Sequence, residues 1–199
     1  MTGRVEIPDS IETADRPRPA GDPDPDDVLP FDTSHAVPPM ASAGDGYRVH
    51  VTGLTHDERG YPDIDTGTQA EMMTHLMGKI EEARADIVET DTYLLDDAEV
   101  ALVSYGSTSR SARQAVRDLR EGGIDAGLLR VLTPWPFPRE EIRALSERVD
   151  RIVVAEMNLG QYVHPVREHA TVPVDAHTHA GGEIPQPADV ADTVREAVE

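Results

Sequence analysis

Glu99-Val100-Ala101-Leu102-Val103-Ser104-Tyr105-Gly106-Ser107-Thr108-Ser109 opens as an aliphatic, partly β-branched run and breaks into a glycine–hydroxyl turn. From Ser107 the apolar period changes: Ala112, Ala115, Val116 and Leu119 fall three and four apart, and Gly122-Gly123 stops the helix near Glu121. Strand, turn and amphipathic helix form the repeating unit of a parallel sheet with helical crossovers. The unit then recurs. A second strand is predicted over Ala126 to Leu132, and the helix after it starts at Pro138 and buries Ile142, Leu145 and Val149. A third strand covers Arg151 to Glu156, with a helix from about Gly160 to His169. A weaker fourth strand covers Val172 to Ala176, and a last helix from Pro187 shows Val190, Val194 and Val198. Strands separated by helix-length connections need right-handed crossovers, so helices cover both faces. The expectation is an α/β fold with a mostly parallel open sheet.

Outward from this core the chain changes character. Residues Pro17 to Pro39 are rich in Pro and Asp, too polar to offset their ordering entropy by burial. Residues 1–46 are therefore predicted to be an extended, partly disordered acidic arm or linker. Residues 47–95 are read as a junction segment and residues 96–199 as the α/β domain. A short strand is predicted at Tyr47-Arg48-Val49-His50-Val51, which alternates. From about Thr68 one helical stripe is predicted through Met73, Leu76, Ile80, Ala83 and Ile87.

Composition removes several function classes. The net charge is −20, from 38 acidic and 18 basic residues, and this argues against nucleic acid or an anionic membrane as partner. Lys79 is the only lysine. So acidic a surface is a lever associated with halophiles, and it predicts a salt-adapted cytoplasmic protein. No cysteine is present, which excludes disulfides, zinc–thiolate sites and cysteine-ligated clusters on this chain. No apolar run is long enough to span a bilayer, and no secretory signal is evident.

Parallel α/β sheets carry their working surface at the carboxyl ends of the strands. Three tracts occupy those ends, and they supply the candidate residues for a partner-facing or anion-binding edge: Gly106, Ser107, Thr108, Trp135, Glu156, Asn158 and Gln161. Gly106-Ser107-Thr108-Ser109 suits an anion at a helix start, and equally an ordinary N-cap. Its spacing fits neither a Walker loop nor a dinucleotide fingerprint. Thr133-Pro134-Trp135-Pro136-Phe137-Pro138 presents an aromatic between prolines, either as a covering loop or as an interface wedge. Asn158 sits where a helix cap is needed, an explanation that does not extend to Glu156 and Gln161. His177 and His179 share a strand face, with His164, His169 and Asp175 as possible neighbours. No third ligand has a recognisable spacing, so these are read as surface histidines. No residue is assigned a catalytic or metal-binding role.

Taken together, Tyr105-Gly106-Ser107-Thr108-Ser109-Arg110, Leu132-Thr133-Pro134-Trp135-Pro136-Phe137-Pro138 and Glu156-Met157-Asn158-Leu159-Gly160-Gln161 resemble the alpha subunit of 2-oxoacid:ferredoxin oxidoreductases. The stretch Gly53-Leu54-Thr55-His56-Asp57-Glu58-Arg59-Gly60 is similar to that subunit's glycine–histidine–acid–glycine junction loop. The resemblance covers about residues 47–199. It implies a module like the carboxy-terminal domain of transketolase, acting as scaffold and subunit contact and inactive alone. The complex so implied oxidatively decarboxylates a 2-oxoacid to its acyl-coenzyme A and passes electrons to ferredoxin. It uses thiamine diphosphate, magnesium, an iron–sulfur cluster and coenzyme A, none of them bound by this chain alone. A beta subunit supplies the diphosphate motif and the cluster cysteines. Gly44-Asp45-Gly46 matches only the start of that motif, because the sole asparagine, Asn158, lies far outside its window. The longer amino-terminal pyrimidine-binding domain of family alpha subunits has no counterpart here, so no catalytic residue carries over. Two other readings stay open. One is a stand-alone interaction module or inactive remnant, and the other is a small-anion-binding domain at the Gly106 turn.

Overall fold

Five strands make one sheet in the computed structural model, which describes residues 6–21 and 23–199: β1 (Thr90–Tyr93), β2 (Val100–Tyr105), β3 (Ala126–Val131), β4 (Arg151–Glu156) and β5 (Val174–Thr178). Their order is β1-β3-β2-β4-β5, so the opening run is the central strand. β2 pairs in parallel with both β3 and β4, and β4 pairs in parallel with β5. The remaining strand, β1, is an antiparallel edge on β3, with Thr90 opposite Val131. Its Thr90-Asp91-Thr92-Tyr93 is short and mostly polar, and so gave no strand signal in the sequence.

Alternation along β2 divides the core in two, because successive side chains point to opposite faces of a strand. Val100 and Leu102 pack with Ala112, Val116 and Leu119 of α3 (Thr108–Glu121) and with Val190 and Val194 of α6 (Pro187–Val198). Ala101 and Val103 pack with Ile142 and Leu145 of α4 (Arg139–Ser146) and Val163 and Val166 of α5 (Val163–His169). Helices thus cover both faces, as the periodicity requires. Each fully buried Val, Leu or Ile contributes about 1.5–3 kcal/mol relative to exposure.

The boundaries shift at two places for local reasons. The strand expected over Val172 to Ala176 runs Val174–Thr178. The helix expected from Gly160 begins at Val163, because Asn158 first makes a turn of its own.

The chain divides into two compact units, Met1–Glu82 and Ala83–Glu199. Residues 1–5 and Asp22 of the expected arm lie outside the described residues. The described part of the first unit contains one helix, α1 (Thr66–Glu82), none of whose residues is buried. The single stripe predicted to run on through Ala83 and Ile87 is broken. Ala83 takes φ −87° and ψ 6°, which interrupts the helical ladder, and α2 (Arg84–Ile87) is a separate turn. No strand forms at Tyr47 to Val51 either, since no neighbouring strand offers a ladder. Instead His50 Nδ1 donates to Gly60 O at 2.6 Å, and the His50 ring stacks on Tyr61.

That contact closes a tight loop. Asp57 N donates to Tyr61 O and Gly60 N to Asp57 O, while His56 bridges to Pro62. Gly60 has φ +86°, and a Cβ there would lie 2.0 Å from His50 O, so only glycine fits.

Candidate functional site

The parallel pairing of β2 with β3 and with β4 brings the carboxyl ends of three strands to one rim. Chain order departs in opposite directions from β2, so the crevice between β2 and β4 is the topological switch point. The βα corners holding Gly106, Trp135 and Asn158 therefore sit along a single edge, as the sequence order implied.

Across the switch point the two corners are bonded directly. Asn158 Nδ2 donates to the Tyr105 hydroxyl at 2.9 Å. Asn158 Oδ1 accepts from Gly160 N and Gln161 N, both at 2.8 Å. Asn158 is thus a turn-former and a tie between strands, and the helix-cap role expected of it belongs to Glu156. That carboxylate is fully buried; Oε2 accepts from Tyr162 N at 2.7 Å and Oε1 from Val163 N at 3.0 Å. A buried charge persists when such donors satisfy it, and the N-terminus of α5 supplies both donors and a favourable dipole. The sequence left Glu156 unexplained because the donors come from residues whose helical start only the fold defines.

Behind these groups lies an aromatic cluster. Tyr162 tilts against Tyr105 and Phe137, with ring centroids at 4.9 and 5.3 Å, and Phe137 stacks on His169. Burial, reinforced by the nearby Glu156 charge, pushes the Tyr105 phenol above its ordinary range, against the opposing pull of the Asn158 bond. Burial raises Tyr162 far more, and its hydroxyl has no partner. Tyr105 and Phe137 lie in the corner tracts read from the sequence, but nothing there marked Tyr162 or His169 as part of the edge or brought these rings together.

The outward residues differ. Trp135 is 59% exposed while the flanking Pro136 and Pro138 are buried, so the prolines anchor the loop and the indole projects. Leu132 beside it, and Met157 and Leu159 on the corner after β4, are also exposed. Gln161 is exposed and its side chain makes no bond. At the first corner Gly106 takes φ +58°, Thr108 is buried and Ser107 gives no side-chain cap. Ser109 turns its hydroxyl back onto Gly106 O at 2.6 Å. The Ser/Thr capping expected there is therefore not made.

The histidines do not converge. His177 Nδ1 pairs with Thr193 Oγ1 at 2.9 Å, and burial holds its pKa below the ordinary value. Among the described residues no group of three His, Cys, Asp or Glu is arranged to hold a metal ion.

The fold and its rim define a doubly wound α/β domain built around a parallel switch point. Residues 98–190 match the family pyruvate:ferredoxin oxidoreductase core domain II. The chain is 39% identical, over 98% of its length, to the 2-oxoglutarate synthase subunit KorA of Methanothermobacter thermautotrophicus, and covers 52% of that protein. It is 32% identical over 70% of its length to the alpha subunit of 2-oxoacid:ferredoxin oxidoreductase 2 from Aeropyrum pernix, covering 22% of it. The chain is thus related in sequence to oxidoreductase alpha subunits, with residues 98–190 matching the core domain II family. It spans about half the length of the KorA relatives it matches. In fold it is similar to the 2-oxoglutarate:ferredoxin oxidoreductase of Magnetococcus marinus, with TM-score 0.69, 24% identity, and coverage of 82% of this chain and 29% of that one.

Of the groups the family implies, a thiolate-held iron–sulfur cluster does not fit the donors present. An iron–sulfur cluster held by thiolates needs cysteines, and the sequence has none. Asp45, in the Gly44-Asp45-Gly46 match, is occupied in its own turn, where Oδ2 accepts from Ser42 N at 3.0 Å and lies 3.7 Å from Arg18 Nη1.

Proposed function

We propose that this chain serves as the carboxy-terminal, transketolase-C-like part of the alpha subunit of a 2-oxoacid:ferredoxin oxidoreductase. Residues 96–199 are the domain, 47–95 the junction and 1–46 the linker. Its role is scaffold and subunit contact. The assembled complex oxidatively decarboxylates a 2-oxoacid to its acyl-coenzyme A and passes electrons to ferredoxin, with thiamine diphosphate, magnesium and the iron–sulfur cluster held outside this chain. The observation that carries this reading is the 39% identity to a 2-oxoglutarate synthase subunit along 98% of the chain. The rim supports it. Glu156, Asn158 and Tyr105 satisfy one another or the backbone internally, whereas Trp135, Leu132 and Leu159 offer exposed apolar surface of the sort that marks protein interfaces.

The partner is a beta subunit, and ferredoxin is reached through the complex. The excess of 38 acidic over 18 basic residues supports a salt-adapted cytoplasmic setting. Among the described residues no helix is long and apolar enough to cross a membrane.

The test is co-purification of the tagged chain from its native extract, with mass identification of what is retained. A beta subunit bearing cluster cysteines is expected, and a Trp135→Ala chain retains less of it. A chain recovered alone sinks this reading in favour of a stand-alone module.

A further inference from the structure

The loop His56 to Arg59, singled out in the sequence and unused by the rim, forms one wall of a cavity of about 590 Å3 within the first unit. α1 forms the opposite wall through Met72, His75, Leu76 and Lys79. Small-molecule sites are concave, mostly apolar and carry a few placed polar groups, and they enclose a few hundred Å3. This cavity has that size and an apolar part at Leu29, Phe31, Met72 and Leu76 set among charged and polar residues, and its loop wall is closed by the Gly60 turn that admits no side chain.

The chemistry of the lining decides the ligand. Each of its three carboxylates, Asp57, Glu58 and Glu71, has one oxygen engaged. Glu58 Oε1 accepts from Thr33 N at 3.0 Å, the Thr33 hydroxyl lies 2.6 Å from Glu71 Oε1, and Asp57 Oδ1 accepts from Arg59 N and Tyr61 N. The donors differ. Lys79 is half-buried and has no hydrogen-bond or ion-pair partner among the described residues, and neither has His75 one turn before it. Arg16 engages only its Nε, which donates to Pro38 O. In a chain with 38 carboxylates to 18 bases, a half-buried lysine without a carboxylate is the exception. Such a group is costly to desolvate unless something negative meets it. Beside these donors, Phe31, tilted on His56 at 4.2 Å between ring centroids, joins Met72 and Leu76 in an apolar surface.

We propose that this cavity binds a small organic anion, with a single carboxylate or phosphate group at Lys79 and His75 and an apolar body against Phe31, Met72 and Leu76. The site is separate from the rim and does not depend on the function proposed above.

Calorimetric titration of the whole chain with 2-naphthoate, 1-naphthyl phosphate and neutral 2-naphthalenemethanol tests it. One of the two anions is expected to bind one-to-one, and the stronger of them distinguishes carboxylate from phosphate. The neutral alcohol should bind at least roughly tenfold more weakly. Lys79→Met should weaken the anion by roughly tenfold or more, and Lys79→Arg by no more than about threefold, because it keeps the charge. Backbone amide NMR of the unsubstituted chain with the same anion gives a reading independent of any variant, with shifts expected at residues 56–59 and 72–79. Failure of both anions to bind, equal binding of the alcohol, an unaffected Lys79→Met, or shifts elsewhere in the chain would each overturn the proposal.

Discussion

From Ala83 onward, Leu102, Val103, Ile152 and Val153 are wholly buried between two helical layers; up to Glu82, Val28 and Ala41 are the aliphatic side chains buried among the described residues, joined by Pro30 and Pro38. The first unit replaces burial by local bonds from carboxylates to backbone. Asp32 accepts from Ser34 N, Asp57 from Arg59 N, Asp63 from Asp65 N and Asp65 from Gly67 N. Each is a short Asx-type turn that costs little to close. The same acidic composition thus orders one region through a core and the other through turns. The difference predicts where substitutions hurt.

Truncation in the core should have the largest effect. Leu102→Ala, on the central strand, should lower stability by about 2–5 kcal/mol in chemical denaturation. Leu76→Ala, on a helix with no buried residue, should change it by less than about 0.5 kcal/mol. Equal losses would break the contrast. Next comes Glu156→Ala, which leaves two buried N–H groups at the start of α5 unpaired and should cost about 2–3 kcal/mol. Asn158→Ala should cost about 1 kcal/mol by the same measurement, since Asn158 is only partly buried.

In the first unit, Gly60→Ala forces a Cβ into His50 O at φ +86° and should cost about 1–3 kcal/mol there. Limited proteolysis should then cut residues 50–62 faster while leaving the fragment from Ala83 resistant. Trp135→Ala is expected to stay within about 0.5 kcal/mol of the parent, because the indole is 59% exposed, so any loss of partner binding reports on the interface.

Acid should separate the units by the order in which they weaken. Burial, helped by neighbouring His179, holds the folded His177 pKa below the ordinary 6.5. Its contribution is therefore complete above about pH 6.5 and declines as pH falls below it, when the unfolded chain takes the proton first. The Ser34 hydroxyl and N–H lower Asp32, and the Asp65 N–H with the Thr68 hydroxyl lowers Asp63, both from 3.8. Their contributions are complete above about pH 4 and are lost only as pH falls through the depressed folded values. Histidine and carboxylate NMR titrations should show a His177 midpoint below 6.5 and Asp32 and Asp63 midpoints below 3.8. Smallest and most general, the melting temperature should rise between low and molar potassium chloride as salt screens the −20 net charge.

The four parallel strands, their helices and the shared rim were legible because apolar patterning reports burial directly: Val100, Ala101, Leu102 and Val103, like Ile152, Val153, Val154 and Ala155, form unbroken apolar runs buried on both faces. β1 was not, because an edge strand of Thr90-Asp91-Thr92-Tyr93 buries too little to leave a pattern. The site was half legible. The turn tracts could be read from glycine and proline chemistry, while the choice between a covering loop and a projecting Trp135 waited on the structure. The exchange of roles between Glu156 and Asn158, and the clustering of Tyr105, Phe137 and Tyr162, could not.

By itself, then, the chain's sequence determined the layered class, the three corner tracts and the absence of thiolate chemistry, because periodicity, turn residues and composition act locally; the kinship with oxidoreductase alpha subunits came from the resemblance of those tracts. Only the tertiary structure decided which polar groups meet: Glu156 with the start of α5, Asn158 with Tyr105, and Thr33 with Glu58 and Glu71 while Lys79 finds no partner among the described residues. Asn158 and Tyr105, 53 residues apart, are brought together by strand order, and even the nearby Glu156 finds its donors only once loop closure sets where α5 starts.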